Sequence, residues 1–275
     1  MKPVNTFSSE LLRKLSKNDN YEGLNADQVM LSMMENPLVW YNIPLIFIDK
    51  RNDSIRKILG TPKGEKHIAL VDLFEPDGSY KLEPYLAAAS STNNPSYFEK
   101  DFLKTHEKFF LLNSALSGSI LRIFPLVNDA NNKWIAPPEV NEANYKGMDS
   151  LFTRQIIPLY RNALVEARNA NNYESADTFL NGMKNFQKKH GSAILPSKEK
   201  IETEILYNKY DIFRKLYVYY MLAGLLVIII SIVFIFWNND LVRTLVRISK
   251  VLVLFLFVVH TGCLLYTSPS PRDRG

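Results

Sequence analysis

The stretch "LYVYYMLAGLLVIIISIVFIFW", residues 216–237, decides the organisation of this chain because it runs for 22 residues without a charged side chain. As an α-helix it would be about 33 Å long, enough to cross a hydrocarbon core of about 30 Å. Tyr217, Tyr219, Tyr220 and Trp237 place amphipathic rings at its two ends, where a bilayer has its interfaces. The stretch therefore predicts a transmembrane helix rather than the buried helix of a soluble core.

The next stretch, "NNDLVRTLVRISK" at 238–250, carries three basic residues and one acid. Short cytoplasmic loops are enriched in Lys and Arg, so we expect a cytoplasmic loop here. Residues 1–215 would then lie on the periplasmic side of a bacterial inner (cytoplasmic) membrane, with membrane lipid around the span. Arg214 and Lys215, on the other flank of the span, argue against this orientation.

A second apolar run, Val251–Leu265, is about five residues shorter than a comfortable span. We interpret residues 251–262 as the start of a second transmembrane helix. The final residues 263–275, "CLLYTSPSPRDRG", resemble a vector-derived translated tail and are expected to be non-native.

His260 is the candidate site residue of the membrane part. A polar ring inside lipid needs a partner, and neutral imidazole is a good ligand for haem iron. The alternative is a structural or interfacial role, in which a neighbour such as Thr261 satisfies the ring. The sequence predicts no catalytic residue and no metal site.

Composition excludes several classes of function. Residues 1–210 hold 26 Lys and Arg against 25 Asp and Glu, so they carry no basic surface for nucleic acid. The single cysteine, Cys263, allows no internal disulfide, zinc cluster or C-x-x-C-H haem attachment motif. His67, His106 and His190 stand in polar surroundings without metal-ligand spacing, and we expect surface or helix-cap positions for them.

Residues 1–147 predict a mixed α/β extracytoplasmic region. Asn25 and Gln28 have the spacing of a capping box before a short helix. Apolar runs at 44–49 and 119–127 predict strands, and a longer helix is expected over 96–115. The Asn- and Pro-rich residues 128–147 predict a loop.

Residues 148–215 predict a helical hairpin and a juxtamembrane helix. Two amphipathic segments meet at "NANN", and a helix from about Lys198 is expected to continue without a break to Trp237. The hairpin is similar to one tetratricopeptide unit in its small and aromatic residues, which must pack against the rest of the domain or a partner: Ala163, Ala167, Tyr173, Ala176 and Phe179. The predicted fold class is mainly α with a small β component: an extracytoplasmic α+β domain with a helical hairpin, followed by transmembrane helices.

Four long stretches carry a resemblance to a known family: "MKPVNTFSSELLRKLSK", "LNADQVMLSMMENPLVWYNIPLIFI", "LSGSILRIFPLVNDANNKWIAPPE" and "KKHGSAILPSKEKIETEILYNKYDIFRKLYVYYMLAG". Together they resemble the region that joins the ResB-like and CcsA-like parts of fused cytochrome c biogenesis proteins of the Bacteroidetes type. The resemblance covers nearly all of residues 1–262 and implies that Met1 is an internal residue of a longer protein.

Members of that family act as cytochrome c synthases, which deliver haem and attach it to apocytochrome c. The resemblance therefore implies haem as cofactor, and it implies apocytochrome c and the remainder of the same synthase chain as partners. The family's haem-handling motif is rich in tryptophan and ends in Asp. Here Trp40, Trp134 and Trp237 are isolated, so this motif is missing and an enzymatic role cannot be assigned to these residues.

Two functions follow from the sequence. The first is a segment of a membrane-integral cytochrome c biogenesis factor in cytochrome complex assembly. The alternative is a membrane-anchored extracytoplasmic interaction module that uses its hairpin and has no haem role.

Overall fold

The computed structural model describes residues 2–49, 53–91, 94, 96–127, 129–210, 212–237 and 239–267. It is mostly helical with three pairs of very short strands, which confirms the predicted composition, mainly α with a small β component. The chain forms two compact units, one up to Ile201 and one from Glu202. Each unit is described by itself below.

The described residues of the first unit form eight helices, three antiparallel strand pairs and the start of a ninth helix. Two 3₁₀ turns lie at Val71–Leu73 and Pro137–Asn141. The other elements in chain order are α1 (Val4–Ser16), β1 (Asn20–Tyr21), β2 (Leu24–Asn25), α2 (Ala26–Glu35), α3 (Pro37–Trp40), β3 (Ile46–Phe47), α4 (Asp53–Leu59), β4 (His67–Ile68), α5 (Glu83–Ser91), α6 (Tyr97–Leu116), β5 (Phe124–Pro125), β6 (Trp134–Ile135), α7 (Gly147–Ala170), α8 (Glu174–Gly191) and the beginning of α9 (Lys198–Tyr210).

The first core lies between α1, α2 and α6 and the β3–β4 pair. Leu11, Leu12 and Leu15 form the buried stripe of α1. The predicted capping box of Asn25 and Gln28 is present at the start of α2, with both of its hydrogen bonds at 2.9 Å. Apolar side chains at helical spacing therefore form this core, because each amphipathic helix buries its apolar face.

Arg56 on α4 is a buried cation in this core, with 2% of its surface exposed. Its Nε donates a hydrogen bond to the carbonyl of Glu65 at 2.9 Å, and its Nη2 donates one to the carbonyl of Ile48 at 3.4 Å. A buried guanidinium is tolerated only when its donors are used. Arg56 thus ties α4 to the segments beside β3 and β4.

Residues 128–147 are not the loop that the sequence predicts. They contain β6, the second 3₁₀ turn and buried Val140 and Tyr145, whose hydroxyl donates to the Pro125 carbonyl at 2.8 Å. The prediction was wrong because the apolar side chains of this segment, a short run at 134–136 followed by Val140 and Tyr145, lie among polar and proline residues without a helical or strand period. The strand expected over 119–127 is shortened to β5, because the chain turns at Gly118, where φ is 75°.

A second core joins β5 and β6 to the helical hairpin. Phe124 and Ile135 from the strands pack with Ile156 of α7 and Phe186 of α8. This core crosses the boundary expected between residues 147 and 148.

The predicted hairpin is formed by α7 and α8 and turns at Asn171, which has a φ of 52°. Ala163, Ala167 and Ala176 are buried and let the two helices approach closely. Tyr173, which the tetratricopeptide comparison grouped with them, is half exposed at the start of α8.

The second unit contains α10 (Ile212–Phe236) and α11 (Asp240–Thr267), together with most of α9. The sequence predicts one unbroken helix from Lys198 to Trp237. Asp211 lies outside the described residues, so the continuity of this helix between α9 and α10 stays a prediction. Of the described helices, one stretch, Lys215–Phe236, is long and apolar enough to cross a membrane by length and composition, with a mean hydropathy of 2.7.

The loop expected at 238–250 is instead mostly helix. Asn239 caps α11, since its side chain accepts a hydrogen bond from the amide of Val242 at 2.9 Å, and the helix runs from Asp240 without interruption. The basic residues of this segment suggested a cytoplasmic loop. The segment contains no Gly or Pro that would end a helix, so it can continue as part of α11. α11 also continues into Cys263–Thr267, the first residues of the expected foreign tail, whereas residues 268–275 lie outside the described part of the chain.

Candidate functional site

His260 lies on α11 against α10. Its ring centroid is 5.8 Å from that of Tyr220, and the two rings are tilted by 59°. Leu216, Ala223 and Leu256 form the small apolar cluster between the two helices beside this ring pair. His260 is therefore packed against a neighbouring helix and is half buried.

This arrangement offers one imidazole and one aromatic neighbour. Imidazole is a suitable axial ligand for haem iron, so the donor fits that group. Haem also needs an extensive apolar cleft and contacts for its charged edge. The ring pair and the apolar cluster do not amount to a haem site by themselves.

The sequence predicts surface or helix-cap positions for the other three histidines; all three are partly buried, and His190 does lie in the last turn of α8. The Nε2 of His67 lies 2.9 Å from the Ser16 carbonyl, so this nitrogen carries the proton. The Nδ1 of His106 lies 3.1 Å from the Tyr80 hydroxyl, and burial lowers the pKa of His106. Each of these imidazole rings is packed against other residues of the first unit. The polar neighbours of the histidines in the sequence do not indicate this packing.

His190 at the end of α8 belongs to a charged cluster. Its ring packs on Phe186, its side chain is 11% exposed, and its Nε2 lies 3.0 Å from an oxygen of Asp149. The Nζ of Lys189 donates to the other oxygen of Asp149 at 2.9 Å. The hydrogen bond from Lys189 is the main reason that the pKa of Asp149 is lowered. This cluster holds the end of α8 against the start of α7.

The four histidines do not converge. Among the residues that the structure describes, no group of three or more His, Cys, Asp or Glu side chains could hold a metal ion. Each histidine instead contacts a different partner in a different element.

Sequence reasoning missed a cavity of about 270 Å³ in the first unit, between the end of α1, β3 and α6. Lys108 of α6 forms part of its wall, and its Nζ donates to the carbonyl of Phe47 and lies 5.1 Å above the Phe47 ring. Burial, with a further effect of Lys17, lowers the pKa of Lys108 to about 8. The only sequence signal was a lysine, with Thr105, on the otherwise apolar side of a predicted helix.

The helical hairpin presents exposed apolar side chains on the outer surface of α7. They are not part of either core of the first unit, and they are Met148, Leu151, Leu159 and Val165. This surface is the feature that would serve the interaction role considered for the hairpin.

Comparison with known proteins gives one informative similarity. No protein-family model matches the sequence. The chain is 28% identical to Protein NrfI of Wolinella succinogenes over 266 residues. The aligned region covers 95% of this chain but only 28% of NrfI, so the chain spans less than a third of its relative's length. Along nearly its whole length, this chain is therefore similar to one segment of NrfI.

Proposed function

We propose that this chain is part of a membrane-integral cytochrome c biogenesis factor, which acts in haem delivery and attachment to apocytochrome c. The observation that carries the proposal is the alignment with NrfI, because it extends over 95% of the chain rather than over one motif. The four long stretches that resemble fused ResB/CcsA-type synthases support the same assignment.

The decisive experiment is genetic. In a host that depends on the full-length protein, deletion of its gene should abolish covalently bound haem in c-type cytochromes, detected by haem staining of denaturing gels. Apocytochrome polypeptides should still be made and exported. Restoration of the full reading frame should restore the stain. Normal haem attachment in the deletion strain would refute the proposal.

The proposed topology places α10 across the cytoplasmic membrane, with residues 1–215 on the periplasmic side. Length, apolarity and aromatic ends of the Lys215–Phe236 stretch support the span, and the basic residues after it support the orientation. In full-length protein with native cysteines removed, Ser192→Cys should react with an impermeant maleimide in intact spheroplasts. Asn239→Cys should react only after lysis, and the reverse pattern would contradict the orientation.

We further propose His260 as one axial ligand of haem iron. Its imidazole is the donor, and Tyr220 packs beside it. Neutral imidazole binds iron through one nitrogen, while the other keeps a hydrogen-bonding partner. The remaining contacts of the haem would come from other parts of the longer protein.

This proposal is tested by haem absorbance of the purified full-length protein. His260→Gly should alter the iron-dependent bands, and added imidazole should restore them, which a purely structural histidine would not do. Tyr220→Phe is the matched control, because it changes the neighbour without removing the donor. An unchanged spectrum in His260→Gly would remove His260 from the ligand set.

The alternative function is a membrane-anchored interaction module without a haem role. The exposed apolar residues of α7 favour it, because large exposed apolar surfaces mark binding sites. The two functions differ in the reading frame after Gly262. A tryptophan-rich, Asp-ending motif and further spans support the synthase assignment, whereas their absence would leave the interaction module.

A further inference from the structure

The wall of the α1–α6 cavity contains a buried ammonium group. Lys108 is 9% exposed, yet the cavity beside it has a volume of about 270 Å³. An ammonium has three N–H donors. Among the described residues, the Nζ of Lys108 has one hydrogen-bond acceptor, the carbonyl of Phe47, and it also lies over the Phe47 ring.

The described residues that line the cavity carry a surplus of one positive charge. Four lysines line it, including Lys108 and Lys17, against three acids. Lys14 is paired with Glu107, and the Nζ of Lys104 lies 3.8 Å from Asp101. The third acid is Asp49. Lys17, at the end of α1, supplies a second cation close enough to lower the pKa of Lys108.

The cavity also has an apolar wall, formed by Phe47, Ile48 and Ile55. Its volume corresponds to that of about nine water molecules, at roughly 30 Å³ each in the liquid. This is more than a single inorganic ion fills. The described lining contains no arginine, the residue whose planar fork suits bidentate contact with phosphate.

We propose that this cavity binds a small monoanionic organic acid, with its carboxylate on Lys108 and Lys17 and its apolar body against Phe47, Ile48 and Ile55. The carboxylate accepts hydrogen bonds from the N–H groups of Lys108 that do not donate to the Phe47 carbonyl. Its negative charge balances the surplus positive charge of the cavity. The site lies within the first unit and is independent of the haem-related function.

Binding is coupled to the protonation of Lys108. A bound anion favours the charged form of a neighbouring amine, so it raises the pKa of Lys108 above its value of about 8 in the free protein. By linkage, affinity for the anion falls when the pH rises above that pKa. The acids Asp49, Asp101 and Glu107 and the cations Lys14, Lys17 and Lys104 also face the site.

The test uses the full chain in detergent micelles, with ¹³C-labelled lysine and benzoate as the probe. The Cε resonance of Lys108, assigned from the Lys108→Arg variant, should titrate near pH 8 alone and at least one unit higher with saturating benzoate. Benzoate affinity should fall about tenfold between pH 7 and pH 10. Benzamide, which has the same shape without the charge, should produce no shift.

Variants separate this site from nonspecific binding. Lys108→Met should abolish saturable benzoate binding and Lys17→Met should weaken it at least fivefold, while Lys133→Met, on a distant turn, should leave it unchanged. Benzoate binding that survives in Lys108→Met would overturn the proposal. So would the absence of a shift in the wild-type chain, or displacement of benzoate by equimolar phosphate, which would indicate a general anion site.

Discussion

Gly191 should tolerate no side chain, because the indole of Trp134 lies directly over it. A Cβ at Gly191 would stand 2.4 Å from Cζ2 of Trp134, and 3.2 Å and 3.3 Å from two further indole atoms. Ordinary contacts begin near 3.4 Å, so the indole must move by about 1 Å. Trp134 is 9% exposed, next to Ile135 of the second core, and has little room for that movement.

The expected penalty of Gly191→Ala follows from two opposing effects. Overpacking of a well-packed core costs about 1–3 kcal/mol. Alanine in place of glycine inside a helix increases the free energy of unfolding by up to about 1 kcal/mol. The gain is smaller here because Gly191 is the last residue of α8. The net loss in the free energy of unfolding is about 1–2 kcal/mol. For a unit of this size it lowers the melting temperature by roughly 2–8 °C.

Gly182→Ala, on the same helix, is the matched control. There the new Cβ would lie 3.5 Å from the Phe152 ring, which is an ordinary contact, so this variant should be neutral or up to about 1 kcal/mol more stable. The assay is thermal unfolding of the full chain in detergent, followed by near-ultraviolet circular dichroism, which reports the Trp134 environment. If Gly191→Ala melts at the same temperature as Gly182→Ala, the close packing of Trp134 on α8 is refuted.

Three further variants test contacts elsewhere in the first unit. Asp149→Asn should lower the free energy of unfolding at pH 7 by roughly 0.5–1 kcal/mol, because the carboxylate that pairs with Lys189 is lost. The folded-state pKa of Asp149 is lowered, so its stabilisation is present above the unfolded pKa of about 3.9 and is lost as the pH falls through the folded value; urea titrations at pH 7 and pH 3 should differ accordingly. Arg56→Met should cost about 2–4 kcal/mol in urea unfolding, since the buried carbonyl of Ile48 and the part-buried carbonyl of Glu65 lose their donor, whereas exposed Lys57→Met should stay within about 0.5 kcal/mol. Tyr145→Phe should cost about 1 kcal/mol in the same assay, because the carbonyl in β5 loses its hydrogen bond; an equal stability would show that water replaces the hydroxyl.

Elements in which apolar residues recur at a regular spacing were predictable from the sequence. The capping box at Asn25, the long α6, the α7–α8 hairpin and the apolar α10 all follow from local patterns. These patterns arise because one face, or in α10 the whole surface, must avoid water.

The second core could not be predicted in the same way. Ile135, Val140 and Tyr145 lie at irregular spacing among polar and proline residues, and they become a core only when the β5–β6 pair meets α8. Such contacts are made between distant parts of the chain, so no window of neighbouring residues contains the information. The same reason hid the packed positions of His106 and His190.

For the candidate site, the sequence predicted which residue to consider but not what that residue contacts. An imidazole in an apolar run pointed to His260, but its contact with Tyr220 depends on how α11 folds back along α10. Lys108 shows the opposite case. Its sequence context is ordinary, and its unusual chemistry arises from burial beside β3.

The contact between His260 and Tyr220 fixes the register of α11 against α10. The connection between the helices is short, so the two run antiparallel, and Arg243, Arg247 and Lys250 come to lie beside the more apolar half of α10. Each such cation costs about 2.5–3.5 kcal/mol to insert at the centre of a helix crossing a bilayer, while Leu, Val or Phe returns only about 0.3–0.6 kcal/mol. If α10 crosses the membrane as proposed, we therefore expect biogenesis in two stages: α10 enters lipid first, and α11 enters only alongside other helices that accept its charges.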